Sequence, residues 1–249
     1  MAGHSKWKQI KHKKAVTDAR RGASWTKVIR EITVAAKAGG GDPGGNPRLR
    51  TAIEAAKAVN MPADNIDRAV KKGTGELEGA VYEEVVYEGY GPGGAAVIIE
   101  ASTDNATRTV ADVRHAFSRN TGNMGATNSV AWMFDRKGQI LLDATQYPED
   151  STLEAALDAG ADDFQKDGDL YIISTTPPTF HAVQDALRAR KFEIDSAELA
   201  MVPRTTVKIE GKQAEQMIKL MEALEELDDV SKVFSNFDID AAHLAEASR

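Results

Sequence analysis

Cysteine is absent from the 249 residues. That excludes disulfides, thiolate nucleophiles and any Cys-ligated zinc or iron–sulfur centre, and it suits a reducing compartment. No apolar run approaches the roughly 20 residues that a bilayer-spanning helix needs, so no membrane partner is expected. Of the five histidines, His4, His12, His115, His181 and His243, none stands at i, i+4 from another ligand-type residue in a metal-site pattern, so no metal is expected. No G-x-S-x-G elbow occurs among the serines. The glycine-rich GYGPGGAA lies between two predicted strands, where a phosphate-binding loop would lead from strand to helix. An enzyme, and with it a cofactor, therefore has no support. The basic beginning lacks the apolar segment of a secretory signal, and it is Lys-rich rather than Arg- and Ser-rich as a mitochondrial presequence would be. The expectation is a mature N-terminus and a cytoplasmic protein.

What is present is a steep charge polarity. Residues 1–75 hold 16 Lys+Arg against 6 Asp+Glu, a local net of +10, whereas the whole chain carries −7. The remaining 174 residues therefore carry about −17. A basic segment on an acidic body is the electrostatic footprint of a polyanion binder.

The chain opens MAGHSKWKQIKHKK without a clean apolar period, which predicts a mobile arm that orders on its partner. A long helix is expected from about Thr17 to Ala38. Trp25, Val28, Ile29, Ile32 and Ala36 share one face, and Arg20, Lys27, Arg30 and Lys37 lie roughly opposite. Asn46-Pro47 starts a second helix, Asn capping and Pro in the first turn, and Asn60-Met61-Pro62 separates it from a third. The first connection is longer than a helix-turn-helix motif uses. Beyond Gly75 strands and helices alternate. Strands are expected at 81–87 and 95–101, then a helix at 107–119 burying Val110, Val113 and Phe117. A hairpin of 130–134 with 139–142 is expected across Arg136-Lys137-Gly138, and another turning at Asp167-Gly168. The opening β-β-α stays incomplete until a β-α-β at the C-terminal end, which an insertion explains. The expected division is a helical basic domain at 1–75, a discontinuous α+β domain at 76–134 and 204–249, and an inserted acidic α+β domain at 135–203. Asp228-Asp229 reads as a solvated turn.

Function points to the arm. Lys6, Lys8, Lys11, Lys13 and Lys14 can neutralise phosphates and release counterions, and the Trp7 indole can stack on an unpaired base. His4, Ser5 and His12 are interleaved with them, and Ser5 can hydrogen-bond phosphate. Arg20, Lys27 and Arg30 extend this candidate surface along the first helix. Arg108, His115 and Arg119, at helical spacing, form a possible second contact. No helix presents the Arg/Asn/Gln cluster that major-groove readout requires, and a thin Lys/Gly/His arm with one aromatic fits the crevices of folded RNA.

AGHSKWKQIKHKK, TKVIREITVAAKAGGGDPGGNPRLRTAIEAAKAVNMPADNIDRAVKKGTGE, YEGYGPGGAAVIIEASTDNATRTVADVRHAF and SVAWMFDRKG together resemble the YebC/PmpR family. That family includes the mitochondrial translational activator of cytochrome c oxidase subunit I. The resemblance spans essentially the full length. It implies a multidomain α+β monomer without enzymatic activity: a three-helix basic N-terminal domain followed by two α+β domains of ferredoxin-like type, the third inserted into the second. It also implies nucleic acid as partner, contacted by Gly3–Lys14. The target is double-stranded DNA for members described as transcriptional regulators, and rRNA on the ribosome for members described as translation factors that relieve stalling at proline runs. A protein partner for the acidic body is not identified by either source.

Overall fold

The computed structural model describes residues 19–239, with side chains from Trp25 onward. The expected mobile arm at the N-terminus, with Gly3–Lys14, lies outside the described residues. Seven α-helices and ten strands are described, and they form two compact units, one at 133–204 and one built from the residues on either side of it.

The unit that surrounds the insertion opens with three helices, α1 (Ala19–Gly39), α2 (Pro47–Ala58) and α3 (Ala63–Thr74). Their apolar stripes meet in one core of Ile32, Ala35, Ala36, Leu49, Ala52, Ala56, Met61 and Ala69, against which Trp25, Val28 and Ile29 pack. Asn46 governs the first turn. Its side-chain oxygen accepts from Leu49 N at 3.1 Å, capping α2, while its amide donates to Ala35 O and Gly40 O at 2.8 and 2.9 Å, closing the end of α1. The Trp25 indole N–H donates to Val59 O at 3.1 Å and ties α1 to the α2–α3 connection. Helix α3 approaches α1 so closely that a Cβ on Gly73 would lie 2.4 Å from Thr33 O, so only glycine fits there.

The same unit continues through β1 (Glu83–Tyr90), β2 (Ala96–Thr103), α4 (Ala106–Arg119) and the short edge strand β3 (Asn123–Met124). It is completed after the insertion by β8 (Val207–Lys208), α7 (Gly211–Glu226), β9 (Val230–Ser235) and β10 (Phe237–Asp238). The antiparallel sheet runs β3-β1-β2-β9, and β8 pairs in parallel with β10. Helices α4 and α7 cover one sheet face through Val113, Phe117, Met217, Leu220 and Leu224 against Val97, Ile99 and Val233. Val110, expected in this core, is only half-buried.

The unit at 133–204 runs β4 (Phe134–Asp143), α5 (Glu149–Asp158), β5 (Asp163–Asp167), β6 (Leu170–Thr175), α6 (Phe180–Ala189) and β7 (Ser196–Pro203). Its antiparallel sheet has the order β5-β6-β4-β7. This is the β-α-β-β-α-β arrangement of ferredoxin-like folds. Its own core gathers Ile140, Leu142, Tyr171, Ile173, Phe180, Val183 and Leu187. The hairpin expected across Arg136-Lys137-Gly138 is not formed. Residues 134–143 are one strand, paired on both sides, and Gly138 sits mid-strand between Leu199 and Thr175. The glycine answers a close approach rather than a turn: a Cβ there would lie 2.3 Å from Thr175 Oγ1 and 2.5 Å from Phe180 Cδ2. The hairpin at Asp167-Gly168 does form, with Gly168 at φ +59°.

Candidate nucleic-acid interface

The expected contact residues His4, Ser5, Lys6, Trp7, Lys8, Lys11, His12, Lys13 and Lys14 lie outside the described residues. Arg20 falls in the first turn of α1, its side chain also outside them.

The cations further along α1 are described, and they turn onto the body. Lys27 Nζ donates to Glu225 O at 2.5 Å, and Lys37 Nζ donates to Tyr82 O at 3.3 Å. Arg30 Nη1 donates to Asp228 O at 2.6 Å and to Asp229 Oδ1 at 2.5 Å. Its guanidinium also lies 5.4 Å from the centre of the Tyr82 ring, and its side chain is only 13% exposed. On α2, Arg48 bridges Glu31 at 2.8 Å and Glu84 at 2.6 Å. The polar face of α1, from which the sequence offered Lys27 and Arg30 as phosphate contacts, thus bonds at 27, 30 and 37 to the end of α7 and to the chain just before β9 and β1.

Asp229 is the centre of these contacts, not the solvated turn acid that Asp228-Asp229 suggested. It is 7% exposed. Besides Arg30, its carboxylate accepts from Arg108 Nη2 at 2.9 and 3.1 Å, from Thr109 Oγ1 at 2.6 Å and from Thr103 Oγ1 at 3.2 Å. Burial by itself would push the Asp229 carboxyl up. The hydrogen bonds from Thr109 and Arg108 and the charges of Arg30 and Arg108 outweigh it and hold the group below the usual carboxylate range. Arg108 also pairs with Asp104 at 2.8 Å, so the first member of the possible second contact is engaged by two acids, while His115 and Arg119 are exposed on the same helix.

Glu88 is the other buried acid that sequence reasoning passed over. It is 4% exposed and accepts three backbone N–H bonds, from Asn128 and Val130 at 2.7 Å and Ala131 at 2.8 Å. The period of two carried no sign of this burial: in EEVVYEGY Glu88 shares a strand face with Val86, which is 55% exposed, while Val85 and Tyr87 pack on the core. The loop it orders ends at Trp132, whose indole N–H donates to Ser129 O at 3.1 Å while the side chain stays 65% exposed. Among the described residues no cluster of three or more His, Asp or Glu side chains is placed to hold a metal ion. No described helix is long and apolar enough to cross a membrane.

Two family models match the chain: the TACO1/YebC protein N-terminal domain over residues 5–76, and the TACO1/YebC second and third domain over residues 82–237. A protein of Gemmatimonas aurantiaca named probable transcriptional regulatory protein is 64% identical over 247 residues, covering 99% of this chain and 100% of its own. A protein of the same description from Solibacter usitatus is 53% identical over 249 residues, covering 100% of both chains. Among solved structures, the crystal structure of a conserved hypothetical protein from Aquifex aeolicus superposes with a TM-score of 0.84 at 48% identity, covering 91% of this chain and 93% of that one. With both models matched in sequence order and relatives aligned over their whole length, the chain belongs to the TACO1/YebC family.

Proposed function

We propose that the protein is a non-enzymatic regulator of gene expression that binds nucleic acid through its N-terminal arm, acting as a cytoplasmic monomer. The observation that carries this reading is the distribution of cations. Residues 1–75 carry a net +10 against about −17 for the rest. Within that basic segment, Lys27, Arg30, Lys37 and Arg48 are spent on the protein itself. Lys6, Lys8, Lys11, Lys13 and Lys14 precede all of these, in a stretch with no acid before Asp18. They supply the phosphate contacts, His4, Ser5, His12 and Arg20 flank them, and Trp7 stacks on an unpaired base. The relatives named probable transcriptional regulatory protein support a regulatory role, and we take double-stranded DNA as the target on the first reading.

A second reading takes rRNA on the ribosome as the target. It is favoured by one observation: three of the cations on the long helix bond to the protein itself, which leaves a thin arm rather than a groove-reading helix to make the contact. Replacing the five arm lysines with Ala tests the shared claim. Affinity for a 30-mer duplex or single strand should drop, and the dependence of log affinity on log salt should flatten by as much as about 4, at roughly 0.7–0.9 per lost phosphate contact. Unchanged affinity and slope would exclude the arm. Cross-linking in cells followed by sequencing of the attached nucleic acid separates the targets: discrete chromosomal sites establish the DNA reading, and rRNA establishes the other.

A further inference from the structure

Helix α1 is the first described element after the basic arm in sequence. The three-helix core and the core between the sheet and helices α4 and α7 are separate hydrophobic clusters. Polar bonds therefore do much of the joining of α1 to the sheet. Most of them end on backbone carbonyls, those of Glu225, Asp228 and Tyr82. Asp229 is different. Its one buried carboxylate collects Arg30 from α1, Arg108 and Thr109 from α4 and Thr103 from the end of β2. The backbone around it is tied as well, since Ser102 N donates to Asp229 O at 2.8 Å.

We propose that Asp229 is a positioning residue for nucleic-acid binding: it clamps α1 onto the sheet and so presents the arm from one fixed base. This rests on the reading of the arm as the nucleic-acid contact. The physical reason is preorganisation. An arm that springs from a fixed helix loses less freedom on binding than one that springs from a pivoting helix. With its clamp removed, the three-helix bundle keeps its own core and swings instead of unfolding.

The sign of the effect separates this from simple electrostatics. Asp229→Asn removes a negative charge from an acidic body, so Coulomb attraction alone makes a polyanion bind more tightly. The clamp makes it bind more weakly, with the same number of phosphates engaged. The test uses the full-length chain, its Asp229→Asn variant and the gentler Thr109→Val, which removes the hydroxyl contacts to Asp229, Thr103 and Asn105 O and no charge. Each is titrated across a range of salt with a 30-mer duplex DNA and a 30-mer single-stranded RNA. Because the chain has no cysteine, a spin-label pair at Ala38→Cys on α1 and Ser118→Cys on α4 reports the distance between the two elements, both sites being exposed.

Asp229→Asn should lose about tenfold in affinity and Thr109→Val about threefold, as lost preorganisation. The salt slope should stay at the wild-type value, and the label distances should broaden in the same order. Affinity equal to or above wild type overturns the proposal, whether or not the label distances broaden. A flattened salt slope overturns it too, because phosphate contacts have then been lost. If Asp229→Asn fails to fold, Thr109→Val decides by the same outcomes. If the wild-type chain binds neither probe, the nucleic-acid reading fails and the positioning role with it, and unchanged label distances in the variants would then remove the clamp as well.

Discussion

Both units carry exposed ion pairs, but among the described residues the buried acids lie in only one of them. At 133–204 the described ion pairs are exposed and local to the surface: Lys166 with Glu149, Arg190 with Asp158 and Arg204 with Asp135, each partner between 43% and 60% exposed. In the surrounding unit the acids that matter are buried, Asp229 at 7% and Glu88 at 4%, and each gathers several donors. The difference follows from chain connectivity. Residues 133–204 build their sheet from one uninterrupted segment around a core of their own. The surrounding unit must bring β9 beside β2 and α1 beside both, across an insertion. Asp229 lies 199 residues from Arg30 and 121 from Arg108. A buried carboxylate is a poor source of net stability but a strict selector of geometry, because a partner that fails to arrive leaves a charge uncompensated.

The sharpest way to break this contrast is Asp229→Ala. It strands Arg30 in a mostly buried position and should cost about 3–5 kcal/mol in urea denaturation, the range for breaking one side of a buried pair. The pH dependence has a definite sign. The Asp229 carboxyl titrates below its usual value in the folded state, so its stabilisation is complete above the unfolded pKa of about 3.9 and is lost as pH falls through the lower folded value. The stability gap between wild type and Asp229→Asn should thus be constant from about pH 5 to 7 and shrink below about pH 4. A gap that narrows near neutrality would mean that another group carries the effect.

Glu88→Ala should follow, at about 3 kcal/mol, because it leaves the N–H groups of Asn128, Val130 and Ala131 without their acceptor. Hydrogen exchange of those three amides is the direct measurement. They should speed up markedly in the variant, while amides of β4 and β6 keep wild-type rates.

How much of this was legible in the sequence depends on how far apart the partners lie. The helix starting at Pro47 was legible because Asn46 and Pro47 are adjacent to it, and the turn at Asp167-Gly168 because a hairpin needs only neighbours. The stripe of Trp25, Val28, Ile29 and Ile32 is written at helical spacing and found its core. Lys27, Arg30 and Lys37 are written at the same spacing, and the sequence holds no sign that Glu225, Asp228, Asp229 and Tyr82 wait for them. An amphipathic pattern tells which side of a helix is polar; it does not tell whether that side meets water, phosphate or protein. Gly138 was misread for a related reason. Arg-Lys-Gly has turn chemistry, but Phe180, 42 positions on, is what requires a residue without a Cβ.

That misreading supplies the next test. Gly138→Ala should destabilise the 133–204 unit by about 2 kcal/mol, since Thr175 and the Phe180 ring must shift to admit the methyl group. If the 133–204 unit takes no part in binding, nucleic-acid affinity at 25 °C should not change. A loss of affinity would tie the inserted unit to the binding function and redraw the contrast.

The smallest effect should come from Arg204→Ala. Arg204 Nη2 sits 2.8 Å from Asp135 Oδ1, geometrically as good as the bond between Arg108 and Asp229, yet the two side chains are 60% and 44% exposed. Water already solvates both charges well, and holding two flexible side chains together costs entropy, so the net contribution should be about 0.3 kcal/mol and should fade with added salt. The measurement is a urea midpoint at low and at high salt. A loss near that of Asp229→Ala would mean that distance, not burial, sets the worth of these pairs, and the contrast between the two units would then rest on connectivity alone.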